Sequence, residues 1–128
     1  MRHCEESPPG QLLLAIRQFN SRQWFECHET LEDLWIGEEG EVRDFYQGTL
    51  QIAVALHHWR NGNYGGAISL LNGGVMLLSH VSEACQWVDV VQLIADANRM
   101  REGLQELGSE RMNELPPALV PLLHTVSP

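Results

Sequence analysis

One stretch of the chain concentrates side chains that could do chemistry: Trp24-Phe25-Glu26-Cys27-His28-Glu29-Thr30-Leu31-Glu32, followed by Trp35. His28 and Glu32 stand four residues apart, the spacing that places two side chains on one face of an α-helix. An imidazole nitrogen and a carboxylate oxygen so placed can share one divalent cation, with zinc, manganese and iron all admissible. They can equally hydrogen-bond each other or a neighbouring helix.

Helical angles sharpen the alternatives. Each residue of an α-helix turns about 100°. With His28 at the origin, Leu31, Trp24 and Trp35 fall within about 60° on one side, and Glu32 and Phe25 within about 60° on the other. A carboxylate bracketed by aromatic rings is costly to bury without a partner. The next helix offers partners, because Arg43, Gln47, Gln51, Val54 and His58 share one stripe of it. Its opposite stripe is an ordinary core face of Val42, Phe45, Thr49, Ile52, Leu56 and Trp59. The turn Gly37-Glu38-Glu39-Gly40 folds the two helices antiparallel, setting Glu32 against Arg43, Glu29 against Gln47 and His28 against Gln51. The expectation is one continuous polar seam of His28, Glu29, Glu32, Arg43, Gln47, Gln51 and His58, walled by Trp24 and Trp35. Such a seam either satisfies buried polar groups and fixes helix register, or lines a pocket for a small ligand. A seam of this kind makes Glu32→Ala costly to stability or to ligand binding.

Apolar residues at helical spacing predict helices over about Gln11 to Asn20, Arg22 to Ile36 with Ser21 as N-cap, Glu41 to Arg60, Tyr64 to Ser82 and Val88 to Leu107. Interior Gly65, Gly66, Gly73 and Gly74 each cost the fourth helix about 1 kcal/mol relative to alanine. Close approach of another backbone would compensate. Leu93, Ala97, Met100 and Leu104 mark the core face of the fifth. Pro116, Pro117, Pro121 and Pro128 exclude a continuous helix from the tail, whose Leu115, Leu119, Val120, Leu122 and Leu123 are expected to pack across the bundle. The predicted architecture is all-α: a compact bundle of about five helices in a single domain, 1–128. Residues 1–10 form a flexible leader and 114–128 an irregular, proline-rich tail.

Composition limits the function classes. The 128 residues are 44% hydrophobic and carry 17 acids against 8 bases, a formal charge of −9. That balance opposes nucleic acid and anionic membrane surfaces, and no basic cluster offsets it. A small ligand, a protein partner or a second copy of the chain remain open as partners. Cys4, Cys27 and Cys85 form no CxxC pair, and Cys27 and Cys85 fall within helical patterns, so they read as unpaired thiols of a reducing compartment. With no apolar leader near Met1, the expected location is the cytoplasm.

The residues of the seam also carry a resemblance. Phe19-Asn20, Trp24 to Glu32 and Trp35, followed by Gln47-Gly48-Thr49-Leu50-Gln51, are similar to the signature of the family called domain of unknown function 309. The match continues loosely through Ala53, His57-His58, Asn63, Gly66 and Ala67, and covers about half of the chain. It implies a small helical bundle and no particular activity.

Two further patterns suggest alternatives. His28-Glu29-Thr30-Leu31-Glu32 is similar to the His-Glu-x-x-His helix of zinc proteases, but Glu32 stands where the second histidine belongs. A metal-binding protein or metal-dependent hydrolase would rest on His28 and Glu32 with His58 as a third ligand, and it is not the favoured reading. Asn63-Tyr64-Gly65-Gly66-Ala67-Ile68 looks like part of a tetratricopeptide repeat, in a single copy at most. A helical hairpin that presents a groove to a partner protein is therefore the other alternative. His57 points about 100° away from His58 and reads as a flank residue.

Overall fold

Short turns reverse the chain between successive helices in the computed structural model, which describes residues 2–126. The helices are α1 (Gly10–Asn20), α2 (Trp24–Trp35), α3 (Gly40–Arg60), α4 (Tyr64–Leu78) and α5 (Val90–Leu107). Each packs against its neighbour in sequence, and α3 is shared between α2 and α4. The chain is all-α apart from one small hairpin, as its periodicity predicts. Among the described residues no helix is long and apolar enough to cross a membrane.

The periodic faces account for most of the core. Leu12, Ala15, Ile16 and Phe19 of α1 are buried, while Leu13, expected beside them, is 41% exposed. Leu93, Ala97, Met100 and Leu104 of α5 are all buried. The second helix begins two residues later than predicted. Arg22 takes a left-handed φ of 61° and Gln23 occupies the N-cap, so the turn consumes residues assigned to the helix, and Ser21 caps α1 instead.

Of the four interior glycines of α4, Gly74 has the expected compensation of a close backbone approach. A Cβ on Gly74 would lie 2.8 Å from the Gly48 carbonyl oxygen and 2.6 Å from Ile52 Cγ1. Gly48 is equally confined, since its Cβ would come within 3.1 Å of the Gly74 carbonyl oxygen. Helices α3 and α4 therefore cross backbone against backbone. The hairpin they form, which carries the repeat-like Asn63–Ile68 segment, is closed along this line.

The segment after α4 departs most from the periodic reading. Helix α4 ends at Leu78, and a two-stranded antiparallel hairpin follows, β1 (Ala84–Cys85) and β2 (Val88–Asp89). Cys85 thus lies in a strand and is joined to Cys4 by a disulfide, correcting the expectation of unpaired thiols. Helical spacing cannot register a two-residue strand, and local pattern cannot show that the leader folds back across 81 positions of sequence. That leader, expected to be flexible, is tied down at both Cys4 and Arg2. Cys4 is buried in the disulfide, and the Arg2 N–H donates to Glu38 Oε1 at 3.0 Å. Cys27 alone remains a free thiol, buried in α2.

The tail consists of two single 3-10 turns, Met112–Glu114 and Pro117–Leu119, and an extended end. Leu115, Val120 and Leu123 are buried, but Leu122 is 44% exposed. Asn20 clamps the tail by accepting from the Leu123 N–H at 2.7 Å and donating to its carbonyl at 3.0 Å. Pro128 lies outside the described residues.

Gly74→Ala should lower stability by about 1–3 kcal/mol through overpacking at the crossing. Gly65→Ala, where an added Cβ meets nothing within 4 Å, should leave it unchanged or slightly raised. Thermal denaturation followed by circular dichroism checks both.

Candidate functional site

The core line of α2 runs through Trp24, Cys27, Leu31 and Leu34. His28 therefore lies about 80° from the centre of that line and Glu32 about 120°. Both reach a shoulder where α2 meets α3 at the surface. Glu32 is not enclosed by rings, and its partner comes from its own helix: His28 Nε2 lies 3.1 Å from Glu32 Oε2, with the two side chains 29% and 46% exposed. Arg43 does not turn to Glu32 but stacks over the Trp35 ring, 5.2 Å from its centroid. Gln51 points to the other neighbour, since a Cβ on Gly73 of α4 would collide with its Oε1.

The seam therefore does not form as the wheel drew it. Among the described residues neither Glu32 with Arg43, nor Glu29 with Gln47, nor His28 with Gln51 makes a hydrogen bond or ion pair. The reason is the placement of the aromatic residues. The wheel counted every ring as core, but Phe25 is 50% exposed and Trp35 only partly buried. These rings belong to the flank of α2, and they move the centre of its buried face away from His28.

In place of a seam there is a groove with two cavities. One, of about 260 Å³, is lined by Trp24, Phe25, His28, Val54, His57 and His58. The other, of about 230 Å³, is lined by Glu32, Trp35, Gln47, Leu50 and Gln51. The His28–Glu32 pair connects their walls on the α2 side. Of the residues singled out in the sequence, Trp24, His28, Glu32, Trp35, Gln47, Gln51 and His58 line this groove. Arg43 sits over the Trp35 ring at one end, and Glu29 is exposed without lining either cavity.

His57 lines the first cavity too, although helical spacing turns it about 100° from His58 and marks it as a flank residue. The cavity wraps round the shoulder of α3 and includes both. Phe25 packs between histidines, its ring centroid 5.7 Å from His57 and 6.0 Å from His28. Burial, then the charges of Arg60 and His58, hold the His57 pKa below its ordinary value. The ring is thus neutral at pH 7. The Asn61 amide nitrogen lies 3.1 Å from His57 Nε2, and His57 Nδ1 is buried without a hydrogen-bond partner. Trp24 is clamped from outside, with the Arg60 guanidinium 4.6 Å and that of Arg22 5.9 Å from its ring centroid.

The groove presents aromatic walls, three imidazoles and the Glu32 carboxylate. Among the described residues no three His, Cys, Asp or Glu side chains converge as a metal site, so His28 and Glu32 have no third ligand. Cys27, the free thiol nearest the groove in sequence, is no nucleophile. Its Sγ donates to the Ala15 carbonyl at 3.3 Å, and burial pushes its pKa up to about 12.

Comparison with known proteins bears on the same elements. Residues 12–70 match the family described as "Domain of unknown function (DUF309)". That span holds most of α1, both groove walls and the start of α4. The chain is 34% identical over 101 residues to "Uncharacterized protein YpuF" of Bacillus subtilis (strain 168), covering 78% of this chain and 55% of the relative. It is 21% identical over 92 residues to an "Uncharacterized protein" of Aquifex aeolicus (strain VF5), covering 71% of this chain and 27% of the relative. The chain thus spans little more than half of the first relative and about a quarter of the second. The family and these relatives supply no assigned activity.

An exposed i, i+4 pair screened by water contributes little to stability. Glu32→Ala should change the unfolding free energy by no more than about 0.5 kcal/mol, in contrast to the buried-seam expectation. Urea denaturation measures this, and a loss several times larger would restore the seam.

Proposed function

We propose that this chain, a member of the DUF309 family through residues 12–70, is a docking domain whose α2–α3 groove receives an amphipathic helix of a partner polypeptide. The observation that carries the proposal is the pair of small cavities on one face. Pockets for drug-sized ligands usually start at about 300 Å³. At about 260 and 230 Å³, each cavity here suits one large apolar side chain better than a whole ligand. Their α2 walls are centred about eight residues apart, or about 12 Å along the helix axis. Two side chains seven residues apart on an incoming helix are separated by about 10.5 Å, close to that distance.

The polar groups suit this occupant. Trp24, Phe25 and Val54 line the first cavity and Trp35 and Leu50 the second, so each receives an apolar anchor. Between them the exposed His28–Glu32 pair faces the middle of the incoming helix, where polar residues would lie. This reading takes up the interaction-module alternative but moves it from α3–α4, closed by Gly48 and Gly74, to α2–α3. The cytoplasmic placement stays within the proposal only alongside a disulfide that a reducing compartment can open.

Helical probe peptides of about 18 residues, built on alanine and lysine, test the groove directly. Peptides with two leucines seven residues apart should bind at least about tenfold more tightly than peptides with leucines two apart, as measured by calorimetry. Val54→Arg should remove that preference while leaving the helical circular dichroism intact. Indifference to leucine spacing, or to Val54→Arg, would sink the proposal. Saturable binding of a small molecule without peptide binding would replace it with the pocket reading.

Binding should also depend on pH. An apolar anchor that fills the first cavity desolvates His57 further and disfavours its charged form. Affinity should hold steady above the ordinary histidine value and weaken as pH falls through the depressed His57 pKa. Peptide titrations across that range, with His57→Gln flattening the profile, check the sign.

A further inference from the structure

The leader, the hairpin and the tail meet at one place, and a disulfide lies at their junction. Cys4 is joined to Cys85 of β1, and the Cys4 carbonyl accepts the Gln86 N–H at 2.7 Å. Gln86 and Trp87 form the hairpin turn with φ of 46° and 73°, left-handed backbone that neither residue favours. Such a conformation persists where its surroundings hold it. Here the holding bonds can be named. The Tyr46 hydroxyl donates to Gln86 Oε1 at 2.7 Å, the Val126 N–H donates to the Trp87 carbonyl at 2.8 Å, and the Asp89 N–H donates to the His124 carbonyl at 2.9 Å. Thr125 completes the contact by bridging to Val88.

We propose that the Cys4–Cys85 bond is a reversible thiol-modification site, a clasp that fixes the leader, the hairpin turn and the tail when oxidised and releases them when reduced by a cellular thiol. Three features of the structure support reversibility. Among the described residues the hydrogen bonds that hold the leader to the rest of the fold include Arg2 on Glu38 and the Cys4–Gln86 bond, so local opening of these few contacts exposes Cys4. The helices share a continuous core from Leu12 to Leu123, to which Cys4 is the one buried residue that the described part of the leader contributes. Cys27, buried and bonded to Ala15, cannot compete for either partner, so the exchange involves one bond only.

The step balances with a dithiol as reductant. One of its thiolates attacks Cys4 Sγ, the Cys4–Cys85 bond breaks, and Cys85 leaves as a thiolate that takes a proton. The second thiol of the reductant then displaces Cys4 from the mixed disulfide. Two electrons pass to the protein, which gains two thiols, and the reductant becomes the disulfide. Once Cys4 departs, the Gln86 N–H loses its acceptor and the turn can relax. The tail bonds made to that hairpin by Val126 and Thr125 weaken with it.

The full chain should be equilibrated in glutathione buffers of varied ratio, with free thiols counted by alkylation and mass, and hydrogen exchange read on each form. The expected result is interconversion of the two forms in the folded protein. In the reduced form the Gln86 amide should exchange at least about tenfold faster, with Asp89 and Val126 following, while the buried amides of α3 stay protected. Cys4→Ser should show the reduced pattern in oxidising buffer. Thiols that stay free in oxidised glutathione would overturn the proposal, as would a bond that survives dithiothreitol in the folded chain. Loss of helix protection on reduction would also overturn it, since the bond would then be a staple of the whole fold. The wild-type measurement decides the matter even if Cys4→Ser fails to fold.

Discussion

Contact between the backbones of α3 and α4 at Gly48 and Gly74 sets the position of everything that faces α3. With no side chain on either residue, carbonyl oxygens and α-carbons approach where a Cβ would be 2.8–3.1 Å from the opposing carbonyl. Side chains that would ordinarily separate two helices are absent on this side, so α4 covers one flank of α3 completely. Gln51 is drawn into the same arrangement, its Oε1 against Gly73. The Gln47-Gly48-x-x-Gln51 pattern therefore serves the crossing as much as the groove. Gly48 permits the approach, and Gln51 spans from one to the other.

On the opposite flank the separation is large and aromatic. Trp24 enters the core, but Phe25 and Trp35 stand at the edge of α2 and prop the surface of the interface open. Some polar groups along that edge pair locally, whereas the Trp24 and Trp35 indole nitrogens and His57 Nδ1 are buried without a hydrogen-bond partner. His28 holds Glu32, Asn61 meets His57, and Asn63 meets His58 at 3.3 Å. Such short-range pairs leave the groove walls intact without drawing the helices together. A network across the interface would have closed the cavities. The groove thus follows from an asymmetry, with α3 packed closely against α4 on one side and less closely against α2 on the other.

Away from the groove, the ends of the chain are organised by a few long-range bonds. Asn20, at the end of α1, uses both atoms of its amide on the backbone of Leu123, 103 residues away. Trp59 donates to the Met112 carbonyl at 3.0 Å. The hairpin joins the leader to the tail on the remaining face. These anchors are single polar side chains at part-buried positions, each joining segments far apart in sequence.

Five helices, the stripes of α1 and α5 and the breaking of the tail by proline were all legible in residue order, as was the grouping of Trp24, His28, Glu32, Trp35, Gln47, Gln51 and His58 on facing helices. Each follows from spacing along a single helix, and spacing is a local property. The glycines of α4 could likewise be read as a demand for close approach, though not for which partner. Tertiary structure alone decided that Cys4 meets Cys85, that Asn20 meets Leu123, that Arg43 stacks on Trp35 instead of pairing with Glu32, and that His57 joins His58 in one cavity. A wheel treats every aromatic ring as buried and gives no depth to a shoulder. Which ring reaches the core, and which holds two helices apart, depends on the neighbour packed against it.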